Sequence, residues 1–431
     1  MRGGQPVATD RLGVAILPWG DRFEDFHDRI GVSLAGFRDE LTGGWLFNYA
    51  EALQRAGLRP VLYYASARID EVVRFRHGPT GTEVRVLPSP RLHCKVRGAR
   101  ERYRPGSPAL GTLASYLATP LWPLARELRA DGVEVVLCHE YEYPRFDAMV
   151  GLGRWLHLPV YATFQGGEPT PGRIQRPLRR LAVRAAAGLI IASEQEVRRV
   201  RDRYRLPPDR VAVIPNPMDV TRWRPLPRNA VRSELGIPTD RRVVVWQGRV
   251  EVDKKGLDVL LDAWTRVCEL QGTDPPLLLL VGTGRDEDLL RRLVAAAPPA
   301  TVRWVDRYVT DRELLWRYLA AGDLATLPSR REGFAVAVVE AMACGLPVVA
   351  ADAPGVADAL GRGEEAAGLV VPTEDAGALA AALSRLLSDA ALASELGRRG
   401  RGRAEARFSL EVVGNALRGF LTHAPGMPPA S

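Results

Sequence analysis

Apolar residues fall into short runs separated by longer stretches in which apolar positions recur at helical spacing. In the first half the runs are LGVAIL (12–17), PVLYYA (60–65), VEVVLC (133–138), PVYATF (159–164), GLIIAS (188–193) and RVAVIP (210–215), with helix-like stretches at 45–57 and near 145–157. The second half restarts at RRVVVWQG (241–248). It continues through PLLLLVG (276–282), TVRWV (301–305), LATLPS (324–329), PVVAAD (347–352) and GLVVP (368–372), with helix-like stretches at 256–271, 286–297, 311–321 and 336–344. Runs this short and continuously apolar suit strands buried on both faces, and their alternation with helices predicts parallel sheets. No internal repeat is visible.

Two such series, joined by the proline-rich PNPMDVTRWRPLPRN (215–229), predict an α/β protein of two doubly wound domains. The expected division is 1–217 and 218–405, with a terminal helix at 406–424 packing back on the first domain and a loose tail at 425–431. A ligand is expected between the domains, at the carboxyl ends of the strands. The segment 88–109, dense in arginine and proline, is expected to be a loop. The segment 173–184 reads as a basic amphipathic helix facing either solvent or anionic lipid.

Composition agrees with a globular chain: of 431 residues 46% are hydrophobic and 26% charged, with a net charge of +8 that favours anionic ligands. Lys95, Lys254 and Lys255 are the only lysines among 59 basic residues; the other 56 are arginine. The four cysteines are widely spaced, which suits a reduced cytosolic protein without disulfides. The first apolar run is too short for a signal or membrane span, so the expected location is the cytoplasm or the inner face of a membrane.

Candidate chemistry begins at SRREGFAVAVVEAMACGLPVVAADAPG (329–355), where Glu332 and Glu340 stand in apolar surroundings. The helix expected after Gly333 would leave the N–H groups of Phe334, Ala335 and Val336 free for an anion. Glu332 and Glu340 on either side are acceptors for hydroxyls, so a diphosphate flanked by sugar and ribose fits; the plain alternative is a solvated Glu332 and a capping Glu340. In VVVWQGRVEVDKKG a buried strand ends at Gln247–Gly248. Arg249 offers a planar fork for phosphate and Lys255, before Gly256, a point charge. Gly43–Gly44 precede the helix-like 45–57 and would let backbone approach a ligand.

Taken in order, these segments, together with VGTG (281–284) and VAVIPNPMD (211–219), resemble glycosyltransferase family 4 over nearly the whole chain. The resemblance implies the GT-B fold, two facing Rossmann-like domains with an interdomain cleft. It also implies retaining transfer of a sugar from a nucleotide-diphosphate donor, UDP or GDP, to an acceptor hydroxyl. Glu332 would hold the donor sugar, Glu340 the ribose, Arg249 and Lys255 the leaving diphosphate, and the strand end Val305–Arg307 would flank the base. No catalytic metal or other cofactor is implied. Gln165 stands where many relatives carry histidine near the reacting sugar, and it cannot act as acid or base. Ala335 and Pro217 replace frequent glycines.

His139, Glu140 and Tyr141 follow a strand end; they are either acceptor contacts or structural. Asp286–Glu287–Asp288 has a D-x-D pattern but opens a helix-like stretch, where acids complement the helix dipole. The acceptor is left open among carbohydrates, polyols, lipid-linked sugars and natural products, with peripheral membrane contact as a further expectation. Two rivals are nucleotide-sugar epimerisation and a basic nucleic-acid binder. No G-x-G-x-x-G follows the first strand, which disfavours a dinucleotide enzyme, and the spread of arginines disfavours nucleic acid.

Overall fold

The computed structural model describes residues 11–42, 44–104, 106–166, 172 and 175–422. Gly43 and the tail 425–431 therefore lie outside the described residues. Eight strands form the first sheet: β1 (Gly13–Leu17), β2 (Arg59–Ser66), β3 (Val73–Arg76), β4 (Glu83–Pro88), β5 (Val133–His139), β6 (Val160–Thr163), β7 (Gly188–Ile191) and β8 (Val211–Val213). Their order is β3-β4-β2-β1-β5-β6-β7-β8, and only the β3–β4 pair is antiparallel. Six strands form the second: β9 (Val243–Gln247), β10 (Leu277–Val281), β11 (Val302–Val305), β12 (Leu324–Leu327), β13 (Val348–Ala351) and β14 (Gly368–Val371). Their order is β11-β10-β9-β12-β13-β14, parallel throughout.

Helices bury both faces of each sheet, which is why the strands read as unbroken apolar runs. In both sheets the order reverses beside the first strand of the series, β1 or β9, so the crevice at each switch point opens at the carboxyl ends. The cleft lies where those two ends meet.

Two expectations change. The segment 88–109 is not a loop: helices Arg91–Tyr103 and Pro108–Leu117 occupy most of it, the second capped where Ser107 Oγ accepts from the Leu110 N–H at 3.5 Å. Helix-compatible arginines outweigh the flanking prolines, which sit at helix starts where no N–H is needed. The terminal helix also begins later than 406, and 423–424 lie outside the described residues. Ser409 is extended and separates Ala390–Phe408 from Leu410–Thr422. At that break the Met218 N–H donates to the Phe408 carbonyl at 2.6 Å, tying the tail to the domain linker. Leu410–Thr422 then buries Val413, Leu417 and Leu421 in the first domain, against Val14, Ile16 and Leu53.

Candidate functional site

The second domain builds its half of the site from the loops after β9 and β12. Gly256 ends the short helix Val252–Lys255 in the left-handed region, φ 63°. A Cβ there would lie 2.1 Å from the Pro328 carbonyl oxygen, so only glycine lets the two loops close on one another. That approach sets Lys255 Nζ 2.7 Å from Glu332 Oε1, both side chains largely buried. Arg330 straps the same loops together. Its guanidinium donates to both Asp258 oxygens at 2.8 Å, to Glu374 at 2.8 Å and to the Asp253 carbonyl at 2.7 Å. The ammonium–carboxylate pair is thus held by backbone and by a fixed guanidinium fork rather than by two mobile side chains.

Beyond Glu332, Gly333 meets the first domain. A Cβ on it would lie 2.3 Å from both N and Cα of Gly166, so bare backbone from each domain touches here. Among the described residues no acceptor engages the N–H groups of Phe334 and Ala335 at the start of helix Val336–Ala343. Val336 differs from expectation: its N–H is taken by the Phe334 carbonyl at 2.8 Å, in a tight turn that leaves two free amides rather than three. Phe334 itself is buried beside Phe408 and contributes backbone only.

Glu340 lies inside that helix and is buried. Gln247, at the end of β9, donates a short hydrogen bond to Oε2. Burial pushes the Glu340 carboxyl up to about 7, against the opposing pull of the Arg312 guanidinium. A carboxylate kept dry with so few donors is suited to receiving hydroxyls. Arg249 is more exposed and pairs with Glu251 at 3.2 Å. It shares a field with Lys254, Lys255 and Glu332, and opposes both burial and Glu340 at Tyr308, whose phenol burial shifts upward. The Gly248 N–H is spent on the Val281 carbonyl at 3.1 Å. The Val305 carbonyl accepts from Gly282 at 3.1 Å and Arg307 at 2.9 Å, which leaves the exposed Arg307 side chain at the rim.

From the first domain, His139, Glu140 and Tyr141 take the structural one of their two readings. Tyr141 is fully buried and its hydroxyl donates to Glu196 at 2.6 Å, so it belongs to a core ion-pair network and not to the cleft. His139 is 2% exposed, packed edge-on against Tyr49 and 3.3 Å from Thr163 Oγ1. Burial pushes its imidazole down to about 3, so it is a neutral structural ring. Glu140 has φ 88° and accepts from the N–H groups of Glu142 at 3.2 Å and Gln165 at 3.1 Å, which fixes the β5–β6 strand ends. Gln165 exchanges hydrogen bonds with Asn216, Nε2 to Oδ1 at 3.1 Å and Nδ2 to Oε1 at 2.8 Å. Its amide is a strut to the linker. Gly44 is exposed, with φ 119°, and its carbonyl accepts from Arg312.

Arg312 was missed by sequence reading and is central to the geometry. Although it belongs to the second domain, its Nη1 donates to Asn48 Oδ1 at 2.7 Å and its Nη2 to the Gly44 carbonyl at 3.3 Å, while its N–H reaches Thr42 Oγ1 at 3.2 Å. Asn48 in turn donates to the Pro217 carbonyl at 2.9 Å. Asn48 offered a signal, an amide in the apolar run WLFNYAEAL; Arg312, one arginine of 56, offered none.

The carboxylates of 286–288 are employed locally. Asp286 accepts from the Val252 N–H at 2.9 Å, Glu287 binds Thr283, and Asp288 pairs with Arg291 at 3.2 Å as the helix Glu287–Ala296 begins. Among the described residues no group of three His, Cys, Asp or Glu could hold a metal ion.

Comparison with known proteins agrees with this geometry. The family described as Glycosyltransferase Family 4 matches residues 45–222, and that described as Glycosyl transferases group 1 matches 241–389. The chain belongs to glycosyltransferase family 4. A D-inositol 3-phosphate glycosyltransferase of Jonesia denitrificans is 30% identical over 250 residues, 54% of this chain and 58% of the relative. A GDP-mannose-dependent monoacylated alpha-(1-6)-phosphatidylinositol monomannoside mannosyltransferase of Corynebacterium glutamicum is 32% identical over 222 residues, 49% and 56%. The chain thus spans less than two thirds of the length of these curated relatives. Sucrose-phosphate synthase from Thermosynechococcus elongatus superposes with TM-score 0.69 at 21% identity, covering 95% of this chain and 98% of that one. As a family 4 glycosyltransferase with the GT-B fold, the chain has its paired glycines, Gly166 and Gly333, where the two domains face.

Proposed function

We propose that the chain transfers a sugar, with retention of anomeric configuration, from a nucleotide-diphosphate sugar carrying UDP or GDP to an acceptor hydroxyl. The observation that carries this reading is the Lys255–Glu332 pair beside the free Phe334 and Ala335 amides, one turn from buried Glu340. Lys255 and the two amides would take the diphosphate, Arg249 would approach from the rim, Glu332 would accept from sugar hydroxyls, and Glu340 from the ribose. In the transfer the bond between the anomeric carbon and the phosphate oxygen breaks as the acceptor oxygen bonds to that carbon. The acceptor proton passes to the leaving phosphate. This assigns no protein base, which suits a site whose His139 is buried and whose Gln165 is locked to Asn216. Epimerisation would need acid and base groups over the sugar, and among the described residues His139 is buried and Gln165 does not titrate.

No metal or cofactor is part of the reading: positive charge for the leaving group comes from Lys255, Arg249 and the helix start. The acceptor is a polyol or carbohydrate, free or lipid-linked, presented in the cytoplasm or at the inner face of a membrane. The test is incubation with UDP- and GDP-sugars and a panel of such acceptors in the presence of EDTA. Nucleotide diphosphate release that depends on acceptor, with an axial or equatorial linkage matching the donor by NMR, supports the reading. An inverted linkage, or a new sugar formed from donor alone, contradicts it.

A further inference from the structure

Four helices pack their inner sides on one face of the first sheet, among them Leu121–Ala130, Pro144–Leu156 and Gln175–Ala185. Their outer surface is unusual in both apolar and charged content. Trp122 is 74% exposed and stacks on the half-exposed Trp155, ring centroids 5.6 Å apart, with the Arg129 guanidinium 4.9 Å above the Trp155 ring. Leu121, which precedes Trp122 in the chain, is exposed, and on the third helix so are Leu178 and Leu181, Leu181 to 67%. A soluble surface gains nothing from five large apolar side chains held in water.

The charges around them have one sign. Arg126, Arg129, Arg154, Arg180 and Arg184 are exposed on the same three helices. The helix Gln175–Ala185 contains no acid. On the other two the carboxylates are buried in ion pairs: Glu127 with Arg74 at 2.7 Å and Asp147 with Arg179 at 2.6 Å. Residues 91–184 hold fifteen lysines and arginines against eight aspartates and glutamates, a net +7 of the chain's +8. Arginine and tryptophan with their stems on an apolar layer, and no outward carboxylate, match a planar anionic boundary with a wet side and a dry side.

We propose that this outer face docks on the surface of an anionic lipid bilayer. Trp122, Trp155, Leu178 and Leu181 enter the headgroup boundary and the arginines pair with lipid phosphates. The helix Gln175–Ala185 starts on the cleft side of β6, so docking brings the mouth of the cleft towards lipid-borne molecules. The proposal is independent of the transfer reaction.

The test uses the full chain and sedimentation with vesicles of phosphatidylcholine alone or of phosphatidylcholine and phosphatidylglycerol in equal parts. Binding is expected only to the anionic vesicles and to weaken steeply with added salt. R126A and R180A should each reduce the partition coefficient about fivefold, and W122A/W155A about tenfold or more. L178S/L181S should weaken binding similarly. Melting temperatures should stay at the parent value, because these side chains are exposed. Equal binding to both vesicle types, parent-level binding by all variants, or tighter binding to random duplex RNA than to anionic vesicles would overturn the proposal.

Discussion

Lys255 Nζ lies 2.7 Å from Glu332 Oε1, in a loop pair that Gly256 alone permits to close. The pair gives the site an ammonium and a carboxylate that do not need to search for each other. Lys255→Ala should lower kcat by about 100-fold or more, the scale of losing one positioned group that stabilises developing charge. Stability should fall by only about 1–2 kcal/mol, the value of one partly buried charged hydrogen bond. Steady-state kinetics with a thermal melt separates the two; parent-level turnover would contradict the assignment.

Glu332→Gln keeps the shape and a hydrogen-bonding oxygen but loses the charge. Its expected effect is a fall in kcat with nucleotide diphosphate affinity changed by less than about threefold, a difference of under 1 kcal/mol. Calorimetry with the bare nucleotide beside turnover with the sugar donor reads this split. Equal loss in both would move Glu332 from the sugar to the phosphate side.

Burial pushes the Glu340 carboxyl up to about 7, so ligand binding there is linked to pH. Hydroxyl donors stabilise the ionised carboxyl, so a bound ribose lowers its pKa and releases a proton. Nucleotide affinity should therefore rise with pH between about 6 and 8, through the value of about 7 set by burial. In the absence of ligand the raised pKa acts oppositely on folding. The folded chain binds the proton more tightly than the unfolded chain, so stability declines as pH rises from about 4.5 to 7. Glu340→Gln should flatten both profiles, as read by calorimetry and melts across this range.

Arg312 joins the second domain to Asn48, Gly44 and Thr42 of the first while its charge bears on Glu340. Arg312→Leu should destabilise the chain by about 2–3 kcal/mol through lost charged hydrogen bonds. It should also raise the Glu340 pKa further and shift the affinity profile to higher pH. Small-angle scattering should show a larger radius of gyration as the domains separate. An unchanged radius and an unchanged pH profile would remove Arg312 from the coupling between domains and site.

The strands were legible because burial on both faces writes a continuous apolar run, as in LLLLV of β10. The β3–β4 hairpin leaves a weaker trace although VRFR and EVRVLP flank a Gly-Pro-Thr-Gly turn, since β3 is only partly buried and arginine and glutamate interrupt both apolar runs. Glu332 and Glu340 stand out as carboxylates in apolar surroundings and Lys255 as one of two adjacent lysines in an arginine-rich chain, and the structure pairs Lys255 with Glu332. At a strand end, Tyr141 and His139 read equally well as acceptor contacts or as structural residues. Their side chains turn inward because Glu196 and the Tyr49–Thr163 pocket offer partners from distant parts of the chain. Such partners leave no local trace, and the interdomain reach of Arg312 is hidden for the same reason.

The most direct measurement is a crystal structure with an intact, non-transferable nucleotide-sugar analogue. The diphosphate should lie within hydrogen-bonding distance of Lys255 Nζ and the Phe334 and Ala335 amides, with ribose hydroxyls on Glu340 and sugar hydroxyls on Glu332. Analogue bound elsewhere, with the Lys255–Glu332 pair undisturbed and Glu340 still dry, would contradict the account.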